Sequence, residues 1–139
     1  MDSPVCPQTG KPMMRDERPM TLTYKGVSAT FNMPGWYCDE SGESIHTGED
    51  MKASDRELNK LKAQIEGVLD PITIRRIRKK LGLTQKEAGR LIGGGPNAFQ
   101  KYESGEILAS HAISSALLLL DQNPDGLAVL RKQVEMVPA

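Results

Sequence analysis

The sequence predicts an α+β protein, with a small β-sheet module in its first half and an all-helical domain in its second half. Between residues 22 and 33, apolar and polar residues alternate, which is typical of half-buried strands. From residue 49 onward the apolar spacing becomes three and four, which is typical of amphipathic helices. Charge also divides the chain: residues 1–50 hold four basic and eight acidic side chains, and residues 71–105 hold eight basic and two acidic ones.

Length and hydropathy exclude several classes of protein. A chain of 139 residues corresponds to one domain or two small ones. Its longest apolar run covers only residues 116–120, far short of the roughly eighteen residues that indicate a membrane-spanning helix. The N-terminus lacks a basic stretch followed by an apolar one, so we expect no secretory signal and a cytoplasmic location.

The first module is predicted to be a small antiparallel sheet. Two period-two segments flank Lys25 and Gly26, which predicts two strands joined by a tight turn. We expect Pro34 and Gly35 to form the next turn and residues 36–38 to open a third strand. Such a sheet buries little surface and normally needs a staple. The apolar residues of the alternating pattern are Leu22, Tyr24, Val27, Ala29, Phe31 and Met33.

A helix is predicted to close the first module. Apolar residues recur at spacings of three and four within residues 49–66, and Gly67 follows as a stop signal. We therefore place the boundary here. Residues 1–66 form the β module with its trailing helix, and residues 67–139 form a second domain.

The second domain is predicted to contain five helices, because start and stop signals recur along it. Asp70 provides an N-cap and Pro71 occupies the first helical position, and Gly82 ends this helix. Thr84 and Glu87 have the spacing of a capping box, which opens the second helix.

The remaining helices follow from similar signals. Glycines at residues 93–95 break the second helix, Pro96 is expected to start the third, and Gly105 ends it. A fourth helix spans roughly residues 110–121, and residues 123–124 cap a fifth. The expected inward-facing residues are Ile74, Ile77, Leu81, Ala88, Leu91, Ile92, Ala98, Phe99, Tyr102, Ile113, Ala116, Leu117, Leu120, Leu127, Leu130 and Val134.

Residues 83–105 predict a helix-turn-helix motif, whose second helix enters the major groove of DNA by its N-terminal residues. Asn97 and Lys101 stand four positions apart and share one helix face. Asparagine pairs with adenine N6 and N7, and lysine with guanine O6 and N7. We predict that Asn97, Gln100 and Lys101 read bases. The other DNA-binding candidates are Pro96, Thr84, Gln85, Lys86 and Arg78.

The alternative for this domain is an ordinary helical bundle whose charged residues are simply solvated. Caps, stop residues and helix faces all agree with a helix-turn-helix, and such agreement across levels favours the DNA-binding interpretation. Its basic block would then face a polyanion.

The same segment resembles a known family. Its LTQ opening and its YESG close are similar to the Xre/Cro class of helix-turn-helix regulators. Two longer stretches, RKKLGLTQKEA and GGGPNAFQKYE, resemble the MqsA antitoxin family more closely. The resemblance is strongest over residues 71–121, and the order of elements extends it over the whole chain.

The resemblance implies an antitoxin of a type II toxin–antitoxin system, which is not an enzyme. A zinc-ribbon-like N-terminal module would bind the toxin, a ribonuclease of RelE-like fold. The acidic balance of this module suits a basic partner. The C-terminal domain would form a homodimer and repress the shared operon at a palindromic double-stranded operator.

The base-reading positions that the resemblance implies are Asn97 and Lys101. The family's best-known member has arginine where this chain has Lys101. Lysine lacks the planar two-donor fork of arginine, so the operator sequence does not carry over from the family.

The expected zinc motifs are incomplete. The two C-x-x-C pairs of the family appear here as CPQT and CDES, so Thr9 and Ser41 replace one thiolate in each. Neutral hydroxyls are poor zinc ligands, and we therefore expect no metal or other cofactor and two buried thiols, Cys6 and Cys38. Two alternatives remain open. Substitute ligands could come from His46, Asp39 or Glu40, and a Cys6–Cys38 disulfide is conceivable, although a cytoplasmic location argues against it.

Other function classes find little support. We see no catalytic triad, P-loop or dinucleotide fingerprint, and His111 at the start of the fourth helix is interpreted as a surface or capping group. A thiol-redox enzyme is disfavoured, because neither cysteine lies in a C-x-x-C pair or beside a basic group. The alternative within the DNA-binding class is a solitary Xre-type regulator that has lost its toxin partner.

Overall fold

The computed structural model describes residues 3–138 and has the predicted α+β composition. These residues pack into two compact units, one ending at Leu61 and the other beginning at Lys62. The division therefore lies inside helix α1 (Gly48–Glu66), and the predicted boundary lies at the end of that helix.

The first unit is built on a three-stranded antiparallel sheet of order β1-β2-β3. Its strands are β1 (Met14–Tyr24), β2 (Val27–Tyr37) and β3 (Ser44–Ile45). Lys25 and Gly26 connect the first two strands, with φ of 48° and 80°. Two successive positive φ angles define a type I′ turn, whose twist matches that of the flanking strands, so the predicted hairpin is confirmed.

The predicted turn at Pro34 and Gly35 is wrong. Both residues lie inside β2, paired with Glu17 and Asp16, so Trp36 continues the same strand. Proline is tolerated because the short β3 pairs only with the last two residues of β2, which leaves the outer side of Pro34 without a ladder partner.

Packing against His46 explains why a glycine occupies position 35 in this strand. A Cβ at this position would lie 2.5 Å from Nδ1 of His46. The ring is held there because its Nδ1 lies 2.8 Å from the Pro34 carbonyl oxygen.

An ion pair joins the hairpin to α1. The buried Asp50 carboxylate accepts two hydrogen bonds from the Arg15 guanidinium, one of them 2.9 Å long between Nη1 and Oδ2. It also accepts the Thr47 N–H at 2.9 Å, and the Asp50 N–H donates to the Thr47 hydroxyl at 3.1 Å. The Arg15 hydrogen bonds hold the pKa of Asp50 well below its usual range.

The second unit contains the five predicted helices around one core. They are α2 (Pro71–Lys80), α3 (Gln85–Leu91), α4 (Ala98–Ser104), α5 (His111–Gln122) and α6 (Gly126–Glu135). Most of the predicted inward-facing positions contribute to that core. Its buried members are Ile74, Ile77, Leu83, Ala88, Leu91, Phe99, Ala109, Leu117, Leu120 and Leu127.

Local capping chemistry explains where these helices begin. The Asp70 carboxylate accepts the Thr73 N–H at 2.7 Å, which confirms the cap of α2. The capping box of α3 is also present: the Glu87 N–H donates to the Thr84 hydroxyl at 3.1 Å, and the Thr84 N–H donates to the Glu87 carboxylate at 3.2 Å.

Two helix starts differ from their predictions. Pro96 does not begin α4; it lies in a turn with Asn97, and the Ala98 N–H bonds to the Gly95 carbonyl at 3.3 Å. The turn uses the two positions that were expected to form the first helical residues. Similarly, α6 begins at Gly126, after a turn over residues 124–125.

The helices of the structure agree with the hydropathy of the sequence, which predicted no membrane-spanning segment. Among the helices over residues 3–138, none has the length and apolar character required to cross a bilayer.

Replacing Asp50 with asparagine is expected to destabilise the first unit by about 1–3 kcal/mol at neutral pH, because charge-assisted hydrogen bonds from Arg15 are lost. Because the pKa of Asp50 is lower in the folded chain than in the unfolded chain, where it is about 3.9, ionised Asp50 stabilises the fold at pH values above about 3.9. This contribution disappears as the pH falls through the folded-state pKa. The difference between wild type and Asp50→Asn should therefore shrink below about pH 4.

The measurement is urea unfolding at several pH values, followed by the fluorescence of Trp36, the single tryptophan of the chain. Asp55→Asn, at an exposed position of the same helix, is the matched control and should have little effect. An Asp50→Asn effect that is equally large at pH 2 and pH 7 would contradict the ion-pair explanation.

Candidate nucleic-acid interface

A close backbone contact sets the angle between α3 and α4. The three glycines between these helices, Gly93, Gly94 and Gly95, have φ of 137°, 97° and 89°. Residues with a Cβ rarely adopt such backbone angles. The turn comes so close to α3 that a Cβ on Gly89 would lie 1.8 Å from the Gly95 carbonyl oxygen. The Gly95 N–H returns a 3.3 Å hydrogen bond to the Gly89 carbonyl.

Aromatic packing holds the inner face of α4. Phe99 is completely buried, and its ring meets the half-buried Tyr102 edge to face, with 5.4 Å between centroids. Gly105 ends the helix in the left-handed conformation, with φ of 82°. The opposite face of α4 therefore remains at the surface.

The predicted base-reading residues lie on that surface. Asn97, Gln100 and Lys101 are all exposed, as is Pro96 in the preceding turn. The Asn97 side chain makes no capping hydrogen bond to α4, so its amide is not used to start the helix. Asn97 lies just before α4, and Lys101 is the fourth residue of that helix. Their spacing of four places the amide and the ammonium on one side of it.

A cleft of about 620 Å³ adjoins these residues. Two exposed cations line it, Lys86 and Arg90, which lie one helical turn apart on α3. Hydrogen bonds from Thr84 lower the pKa of Glu87, the carboxylate of the same cleft, and its Oε1 accepts the Thr84 N–H in the capping box. The other lining residues are Gly89, Gly95 and Pro96.

Arg90 is the residue that sequence reasoning missed. The signal was present, because Arg90 follows Lys86 by four positions and shares its helix face. Of the other α3 candidates, Thr84 is exposed and Gln85 is half-buried.

Arg78 was predicted to contact DNA, but its side chain lies inside the second unit. Its side chain is only 12 % exposed and pairs with Glu103, itself 5 % exposed, through two hydrogen bonds of 2.8 Å. A third bond of 2.9 Å runs from Nη1 to the Leu83 carbonyl. This guanidinium fastens α2 to α4, and its donors are used inside the domain. It has no place in the DNA interface proposed below.

Two further cations of α2 are used in the same manner. Arg76 and Lys80 both contact the Asp121 carboxylate, at 3.1 Å and 2.9 Å. Their hydrogen bonds lower the pKa of Asp121 to about 2. The exposed cations left on this helix are Arg75 and Lys79.

The two cysteines of the first unit are buried and reduced, and the hydroxyls of Thr9 and Ser41 lie against them. The substitute zinc ligands considered above are engaged in other contacts. His46 bonds to the Pro34 carbonyl and the Ser44 hydroxyl, Asp39 pairs with Arg18, and Glu40 pairs with Lys11.

Two comparisons with known proteins match nearly the whole chain. A family model described as the antitoxin component of a bacterial toxin–antitoxin system, MqsA, matches residues 1–131. The chain belongs to the MqsA antitoxin family. A relative named Antitoxin MqsA, from Escherichia coli (strain K12), is 34% identical over 133 residues, which cover 94% of this chain and all of the relative. The match includes both units, so the family resemblance in the sequence is confirmed along its length.

Substituting Gly89 with alanine tests the close contact that positions α4 in this MqsA-family chain. The added Cβ forces the glycine turn away from α3, and we expect a loss of about 1–3 kcal/mol in the free energy of unfolding. Chemical unfolding followed by far-ultraviolet circular dichroism measures this loss.

Gly48→Ala is the matched control, because it adds the same methyl group where nothing lies within 4 Å. A Gly89→Ala variant as stable as the Gly48→Ala variant would show that the turn does not depend on the contact.

Proposed function

We propose that this MqsA-family antitoxin acts by binding alone, without catalysis, and has two partners. Its helix-turn-helix domain represses its own operon by binding operator DNA. Its N-terminal module neutralises a ribonuclease toxin. The DNA-binding part of the proposal rests on the exposed face of α4, where Asn97, Gln100 and Lys101 lie beside a cleft lined by two cations.

In this proposal α4 enters the major groove and contacts base edges. The Asn97 amide is suited to adenine, since it offers one donor and one acceptor to N7 and N6. The Lys101 ammonium is suited to guanine O6 and N7. Lysine is a point charge with rotatable donors, so it tolerates more variation in the contacted base than an arginine would.

Phosphate contacts would come from the α3 side of the cleft. Lys86 and Arg90 are exposed there, and the Thr84 hydroxyl and Gln85 amide lie at the start of the same helix. Such contacts fix the position of the protein on the duplex and make its affinity depend on salt. Arg75 and Lys79 on α2 add positive charge to this unit.

A second copy of the chain is proposed to cover the apolar surface of α5 and α6. Leu119 is 72% exposed and Val129 69%, and Leu118 and Met136 are also exposed. Val129 lies in α6, and Met136, seven positions later, is the C-cap residue of that helix. Helix-turn-helix proteins read two half-sites as two-fold dimers, which makes a palindromic operator the expected target.

The N-terminal module is proposed to bind the toxin. Residues 1–50 carry twice as many acidic as basic side chains, which suits a basic partner, as a RelE-like ribonuclease would be. Family membership supports a toxin partner, since MqsA is described as the antitoxin component of a toxin–antitoxin system.

Two substitutions distinguish base reading from phosphate binding. Asn97→Ala should weaken operator binding by about 1–3 kcal/mol and leave binding to random DNA nearly unchanged. Arg90→Ala should weaken both by similar factors and lower the slope of log K against log salt by about 0.9. Titrations of both DNAs at several salt concentrations measure these effects.

Asn32→Ala, at an exposed position of β2, is the control for the asparagine substitution and should bind like wild type. Equal losses of affinity for the two DNAs in Asn97→Ala would show that Asn97 does not read bases. A salt slope unchanged by Arg90→Ala would show that the cleft does not contact phosphates.

The toxin half is tested with the product of the gene adjoining this one. We expect a small basic protein that copurifies with the full chain and whose ribonuclease activity the chain suppresses. Complex formation should weaken with salt, because the proposed attraction is between opposite charges. Absence of any such neighbour, with operator binding intact, would favour the solitary regulator instead.

A further inference from the structure

Two turns of the first unit share one backbone design. In each, the cysteine N–H donates to the carbonyl five residues later, at 2.8 Å from Cys6 and 3.0 Å from Cys38. The glycine four residues after each cysteine, Gly10 or Gly42, donates back to the cysteine carbonyl at 2.9 Å. Both glycines have positive φ, 71° and 77°. The two turns are therefore equivalent, although their sequences differ.

The side chains of these turns meet in a crossed arrangement. Each turn places a hydroxyl three residues after its cysteine, Thr9 in the first and Ser41 in the second. The Cys6 sulfur lies 3.2 Å from the Ser41 hydroxyl oxygen, and the Cys38 sulfur lies 3.7 Å from that of Thr9. Every thiol thus pairs with the hydroxyl of the opposite turn. We name these four residues the thiol–hydroxyl cluster.

The two thiols of the cluster are shielded from solvent, and Thr9 and Ser41 are half-buried. Cys6 is 1% exposed and Cys38 6% exposed, and both pack with the buried Met13 and the half-buried Trp36. Buried polar groups need partners, and here the thiols and hydroxyls supply them to one another. Over residues 3–138, no side-chain nitrogen or oxygen is both buried and without a hydrogen-bond partner.

The donor set does not fit the zinc of a ribbon module. Structural zinc takes four ligands, usually thiolate or imidazole, and the cluster offers two thiols and two neutral hydroxyls. No group of three or more His, Cys, Asp or Glu side chains within the described part of the chain is placed to hold a metal. The Nδ1 atom of the nearby His46 already bonds to the Pro34 carbonyl.

We propose that the thiol–hydroxyl cluster takes the place of a structural zinc ion, so that this N-terminal module folds without metal. The crossed hydrogen bonds link the two turns where a metal would otherwise link them. Sulfur–oxygen hydrogen bonds are weak, so the surrounding apolar packing carries a larger share of the stability than in a zinc ribbon. If the module also binds a toxin, as proposed above, then that binding is independent of zinc supply.

The test uses the full chain and needs neither toxin nor DNA, so its outcome is separate from that of the proposed function. Purified wild-type protein should contain far less than one zinc per chain. A chelator should leave the thermal midpoint, measured by Trp36 fluorescence, unchanged. The double variant Thr9→Cys/Ser41→Cys restores four thiols on the same two turns. It should take up about one zinc per chain and lose thermal stability when a chelator is added.

A second variant tests the hydroxyls themselves. Thr9→Val/Ser41→Ala keeps the shape but removes both hydrogen-bond partners of the thiols, and we expect its thermal midpoint to fall by about 4–8 °C. Thr21→Val/Ser28→Ala, at exposed positions of the hairpin, is the matched control and should shift the midpoint less.

Three results would overturn the proposal. The first is one tightly held zinc in the wild-type chain, with a midpoint that falls in chelator. The second is a Thr9→Val/Ser41→Ala variant as stable as its control, which would show that the hydroxyls do not link the turns. The third is a Thr9→Cys/Ser41→Cys variant that folds but takes up no zinc, which would show that the turns do not hold four ligand positions.

Discussion

The contact between Gly89 and the carbonyl of Gly95 is the constraint on which the helix-turn-helix depends. With no Cβ on α3 at this point, the glycine turn lies directly on the helix backbone, and α4 can begin three residues after Gly95 at a defined angle. The buried Phe99 then fixes the rotation of α4 about its axis. Together these contacts place Asn97 and Lys101 at the surface without any contribution from their own side chains. The side chains at these two proposed base-reading positions could therefore be exchanged without altering the scaffold that presents them.

Charge in the second unit serves two different purposes. Arg76 and Lys80 share Asp121, and Arg78 is almost buried against Glu103, so three cations of α2 connect this helix to α5 and α4. The exposed cations beside the helix-turn-helix are a smaller set, with Lys86 and Arg90 at the cleft. The net charge of a segment thus overstates its attraction for an external anion such as DNA, because cations that are already paired with carboxylates attract such an anion only weakly.

Local signals were sufficient for the helical caps and for the hairpin, since Asp70, Thr84 and the Lys25–Gly26 turn act through neighbours within a few residues. Tertiary contacts decided the rest. The strand continues through Pro34 because β3 is too short to pair with it, and Arg78 is internal because Glu103 approaches it from another helix. The family resemblance implied that Thr9 and Ser41 replace zinc ligands, but only the fold shows that each hydroxyl meets the thiol of the opposite turn.

Hydroxyl-radical footprinting of the full chain on the DNA upstream of its own gene tests the central claim most directly. A two-fold dimer that presents α4 to the major groove should protect two patches on one side of the duplex. Their centres should lie about 34–36 Å apart, or a multiple of this distance, with inverted sequence symmetry between them. A single protected patch, two patches without inverted symmetry, or equal protection of unrelated DNA would contradict the account.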